Sequence, residues 1–152
     1  MQPGDIGVCH GTGIVDRVIE FGERLHGAGR DAKWSHAFVV VSAQGDTIEA
    51  QAFGVVRSTV ASHGPDVRIF DCPAGVDRQK VVATANKMLG VEYGYWDDLL
   101  LGIDCLTHWT LHERGDSVIC SELAAMCLVA GGWKSPLPPA LTMPSDIAAA
   151  LG

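Results

Sequence analysis

The chain has 152 residues, 47% apolar and 19% charged, which suits one globular domain with a sizeable core and excludes a disordered chain. Its 11 basic and 18 acidic residues give a net charge of −7 with no basic stripe, so neither a nucleic acid nor an anionic membrane surface is an expected partner. No apolar run reaches the roughly 18 residues of a spanning helix, and stable membrane insertion is not expected.

The first element is a short strand, "GDIGVCHG". In "GIVDRVIEFGERLHG", residues Ile14, Val18, Ile19, Phe21 and Leu25 recur at helical spacing, and Gly27 and Gly29 end the run. A loop, "AGRDAK", leads to the β-rich "WSHAFVVVS", then a "QGD" hairpin turn and "TIEAQA". "GVVRSTVASH" reads as extended, and "DVRIFDCP" as a strand closed by Pro73.

The pattern then turns helical. "GVDRQKVVATANKMLG" carries Val81, Val82, Ala85, Met88 and Leu89 on one stripe, with Asp77 placed to cap it. The aromatic and apolar "VEYGYWDDLLLGIDCLTHWTLHERGD" reads as helix interrupted near its glycines. "SVICSELAAMCLVAGG" is a helix stopped by two glycines, "PLPPALTMP" a loop, and "SDIAAAL" a last short helix with Ser145 as cap. The sum is α+β: one domain over 1–152, with an antiparallel sheet of four to six strands and helices packed on one side.

The five cysteines are odd in number, irregularly spaced and without CxxC, so they are not a disulfide framework; most read as small buried hydrophobes. Cys120 is the exception. At a helix start its sulfur meets unpaired backbone N–H groups and the positive end of the helix dipole, which favour a thiolate and could hold an oxyanion. Cys127, seven residues on, reads as core. His36 alternates with apolar residues in its strand, a costly burial without a partner. Glu49 stands in the same relation to the next strand. A carboxylate there can orient imidazole Nδ1–H and leave Nε2 to take a thiol proton. Gln51 shares the face of Glu49 and substitutes for it if the register slips.

The order "GDIG", "SHAFVVV", "IEA", "YGYWDD", "ICSELAA" and "PSDIA" resembles the circularly permuted NlpC-type cysteine hydrolases, papain-fold relatives that include the YiiX-like proteins and, more distantly, the lecithin:retinol acyltransferase group. The resemblance implies a papain-like fold and a catalytic set of Cys120 as nucleophile, His36 as base and Glu49 as orienting residue. It places Tyr93 or Tyr95 near the oxyanion position, with Ser121 and Gln51 as further substrate-side candidates, and makes Asp5 structural. It implies a thiol-dependent peptidase or amidase, bacterial or phage, with no cofactor. The substrate would be a peptide, cell-wall peptide included, or else an acyl amide or ester. A non-catalytic binding module of the same fold is the reading from another class, against which the intact Cys–His–Glu set argues. Without a secretory signal the expected location is cytoplasmic, with phage release or virion association as other routes. Oligomeric state is left open.

Other groups carry less. Cys105, His108 and His112 could ligate zinc, with His108 and His112 on one helix face, but no spacing signals a fourth ligand, so no metal is assigned. His10, His26 and His63 lack a partner pattern and read as surface. The "GTG" near the start is followed by no GK[ST] and is not a phosphate loop. Trp34, Trp96, Trp109 and Trp133 read as core or groove lining.

Overall fold

The computed structural model describes residues 1–10, 34–51, 54–91 and 120–152. The helix expected over residues 13–27 and the aromatic segment 91–116, Val91 apart, lie outside these. Within them the chain is α+β, a five-stranded antiparallel sheet with three helices against it, as the alternation pattern predicts. The strands are β1 (Ile6–Cys9), β2 (His36–Val40), β3 (Asp46–Gln51), β4 (Gly54–Thr59) and β5 (Val67–Phe70), in the order β4-β3-β2-β1-β5. The helices are α1 (Arg78–Lys87), α2 (Cys120–Ala130) and α3 (Pro144–Leu151). No helix among the described residues is long and apolar enough to cross a membrane.

Strand alternation splits the sheet into two faces. Ile6, Val8, Ala37, Val39, Ile48, Ala50 and Val55 form one face and share the main core with Leu123, Ala124, Cys127 and Leu128 of α2. Every residue of α2 from Cys120 to Leu128 is buried, which explains why, Ser121 and Glu122 apart, its sequence is apolar all round. Cys9, Phe38 and Val40 lie on the other face in a smaller cluster. Here β1 must carry a glycine: a Cβ on Gly7 would overlap the ring of Phe38, which lies across that position.

The helix ends follow their local chemistry. Asp77 caps α1 by accepting from the backbone N–H groups of Gln79 (3.0 Å) and Lys80 (3.2 Å). α2 ends as its two glycines predict. Gly132 takes φ +99°, its N–H reaches Val129 O (2.9 Å), and the Trp133 N–H reaches Leu128 O (3.0 Å), the paired bonds of a Schellman stop. Ser145 is not the cap of α3. Pro144 opens that helix two residues earlier, with Met143 as its cap, because its fixed φ suits the first helical position, and Asp146 Oδ2 accepts the N–H of Met143 at 2.9 Å.

Two features position the site. The β2–β3 ladder pairs Val39 with Ile48 and Val40 with Thr47, next to the turn that Ser42 and Asp46 close by hydrogen bonds of 2.6 and 3.0 Å. His36 and Glu49 therefore stand towards the open end of the hairpin. The second feature is the link from β4 to β5. These strands are the two edges of the sheet, so seven residues must cross about 19 Å at 4.8 Å per strand step. The sequence pattern extends this stretch as strand. Instead β4 stops at Thr59 and Val60–His63 form a 3-10 turn that leaves the sheet plane and lies over Phe38.

Asp5 anchors the N-terminal strand. Fully buried, it accepts from Arg78 Nη1 (2.6 Å), the Cys72 N–H (3.1 Å) and the Gln2 N–H (2.6 Å). Burial would raise its carboxyl, but these donors outweigh it and hold the group below its ordinary value. These contacts tie the start of β1 to α1 and to the segment that follows β5.

Candidate active site

The first residue of β2, the fourth of β3 and the first of α2 meet in one place. His36 Nε2 lies 2.8 Å from Glu49 Oε2, and the Cys120 side chain is close enough to act on the same imidazole. Since Nε2 faces the carboxylate, Nδ1 is the nitrogen left for the thiol. This reverses the ring orientation expected from sequence, where Glu49 takes Nδ1. Continuing the β2–β3 register sets Phe38 opposite Glu49 and Gln51 opposite His36, so the His36–Glu49 contact is diagonal.

The electrostatics match the geometry. Burial alone would push His36 down; hydrogen bonds to Cys120 and Glu49, and their charges, outweigh it and push the imidazole up to about 10. Glu49 is fully buried, which would raise it, yet the histidines beside it hold the carboxyl well below the usual range. A buried carboxylate on a partly buried imidazole thus favours the charged pair over either lone charge. Cys127, by contrast, is pushed up to about 12 by complete burial and is chemically inert. Cys72, Cys120 and Cys127 are thiols outside any disulfide.

Gln51 is exposed and does not replace Glu49. Its Nε2 donates to Glu49 Oε1 at 2.7 Å, fixing the carboxylate so that Oε2 faces the histidine. Ser121 is buried, and its hydroxyl donates to Thr142 O at 2.7 Å, so only its backbone N–H remains for an oxyanion. Tyr93, Tyr95, Cys105, His108 and His112 lie outside the described residues, as does His26. His10 is exposed, as expected.

His63 overturns its sequence reading. It is not a surface histidine but 11% exposed, with Nε2 2.9 Å from Glu49 Oε2 and its ring stacked on Phe38 at 4.4 Å and 8°. The distance is that of an ion pair, but the nitrogen lacks the alignment of a hydrogen bond. The signal that places it is the crossing from β4 to β5, which depends on strand order and is invisible to local pattern.

Compared with known proteins, the chain matches no protein-family model and no curated sequence.

Proposed function

We propose that this chain is a thiol-dependent hydrolase of amide bonds, with Cys120 as nucleophile, His36 as proton carrier and Glu49 as the group that holds the imidazolium. The observation that carries the reading is the shared imidazole: one ring between a thiol at the opening of a helix and a buried carboxylate. A base within reach of the nucleophile and oriented by a third group is what covalent catalysis at neutral pH requires.

The chemistry runs in two halves. The Cys120 thiolate attacks the carbonyl carbon, and the C=O electron pair moves to oxygen, where backbone N–H groups at the start of α2 are available to it. Collapse expels the amine, which takes a proton from His36 Nδ1 and leaves a thioester. His36 then accepts a proton from water as the hydroxide adds to that carbonyl; the C–S bond breaks, and acid and free thiolate result. Glu49 stays ionised throughout and stabilises each imidazolium.

The resemblance to the permuted NlpC-type papain-like hydrolases supports the same assignment, because histidine strand, carboxylate strand and cysteine helix follow one another in that order. Peptides, including those of cell walls, are the substrates this reading favours. The test offers peptide amides, fatty-acyl amides and acyl esters to wild type and to Cys120→Ala. Thiol-dependent turnover of the peptide arm supports the proposal. Turnover confined to acyl substrates overturns the substrate class, and activity retained without the thiol overturns the mechanism.

A further inference from the structure

We propose that His36, Glu49 and His63 form a binding site for a divalent transition-metal ion of the zinc class, and that its occupancy switches off the thiol chemistry. Only the switching rests on the hydrolase reading; the binding does not.

The ligand atoms of the three residues all lie within 4.8 Å of one another. Both Nε2 atoms already converge on Glu49 Oε2, at 2.8 and 2.9 Å. A tetrahedral ion with bonds of about 2.0–2.1 Å separates its ligands by about 3.3 Å, so insertion needs each contact to widen by roughly half an ångström. His63 has the means to give way. Its Nε2 is buried and has no aligned hydrogen-bond partner among the described residues, a cost that a metal bond would relieve.

The donor set selects the ion. Two imidazoles and one carboxylate suit zinc and its neighbours; calcium and magnesium prefer oxygen alone. Gln51 holds Glu49 Oε1, leaving Oε2 as a single oriented ligand, the outer support that a metal carboxylate needs. Three protein ligands leave one position open to solvent.

Occupancy changes the chemistry through one proton. Binding displaces the proton on His36 Nε2 into solvent, and Glu49 turns from its acceptor into a ligand. The ring then keeps one proton, on Nδ1, which Cys120 has already given up. A metal-bound ring can pass that proton to a leaving amine only by becoming an imidazolate, so its acid step is lost.

The experiment titrates reduced, chelator-stripped protein with Zn²⁺ by calorimetry and with Co²⁺ by absorption. One equivalent should bind at this site, with no thiolate-to-cobalt charge-transfer band. His63→Phe, which keeps the stack on Phe38, and His63→Asn should each weaken binding at least about 10-fold, more than the loss of an outer-shell partner costs at minimum. Circular dichroism checks that both fold, and either one decides the matter. Cys120→Ala and the double variant His108→Asn/His112→Asn should bind as wild type does. Zinc should also slow turnover of a peptide amide by wild type but not by His63→Phe. No binding by wild type, unchanged binding in the His63 variants, or loss in Cys120→Ala or in the His108/His112 variant overturns the site. If zinc binds as described but Cys120 supports no turnover without metal, the hydrolase reading fails and the site stands.

Discussion

Replacing Glu49 by glutamine keeps the shape of the side chain and removes its charge, which isolates what the carboxylate does for His36. The bond lost is a 2.8 Å contact between a fully buried carboxylate and a partly buried imidazole. A hydrogen bond to a charged group is worth about 1.5–3 kcal/mol. At 1.36 kcal/mol per pKa unit, E49Q should lower the imidazole by roughly 1–2 units. Direction matters as much as size: loss of a negative neighbour makes the imidazolium a stronger acid. The imidazole nitrogen shifts of His36, followed by NMR against pH, read this directly. Comparing Cys120→Ala with Cys120→Ala/Glu49→Gln avoids a thiol that titrates together with the ring. In protein that retains Cys120, the alkaline limb of turnover should move down by a similar amount. An unchanged or raised His36 titration would refute the view that Glu49 holds the imidazolium.

Cys120→Ala and His36→Ala should each abolish turnover, and the double variant should be no worse than either, because the two act as a unit; Glu49→Gln should be milder, so the ordering Cys120 ≈ His36 > Glu49 is itself checkable by steady-state kinetics. Gly7→Ala should cost about 1–3 kcal/mol in urea unfolding, since the new methyl displaces the Phe38 ring. Glu122, 6% exposed in the first turn of α2, is pushed by burial up to about 7. Its folded value exceeds its unfolded one, so the folded state holds the proton longer and stability falls as pH rises from about 4.5 to 7. Glu122→Gln removes this loss and should stabilise by up to about 3 kcal/mol at pH 8 and hardly at all at pH 4; equal gains at both pH values would contradict it.

What local pattern could reveal, it revealed: the alternation of β2 and β3, the Asp77 cap, the double-glycine stop of α2, and the three residues that meet around His36. The first three, and the His36–Glu49 pair within the fourth, depend on neighbours within a turn or one hairpin; Cys120 stands 71 residues past Glu49 and joins that pair through the docking of α2. The readings that failed depend on distant partners. His63 reaches Glu49 only because β4 and β5 lie at opposite edges of the sheet, a fact set by the whole topology. The ring orientation of His36 follows from where α2 docks, and the Ser121 hydroxyl is taken by Thr142, 21 residues on. The displaced cap of α3 was local and still missed, because Ser145 competed with Pro144 for the helix start and a fixed φ prevailed.

The two-pair ladder between β2 and β3 has a thermal consequence. Backbone hydrogen bonds clamp this hairpin near its turn, while the tips that carry His36 and Glu49, each still paired to its outer neighbour, are joined to one another through their side chains. Tips held this way can part at a free-energy cost below that of melting the sheet. On slow heating, the imidazole should therefore part from its carboxylate while far-UV ellipticity is still intact, and amide exchange at Ala37 and Ala50 should outpace exchange at Val40. Cooling would restore the pair without refolding the chain, so heat would silence the site reversibly well before it destroyed the protein.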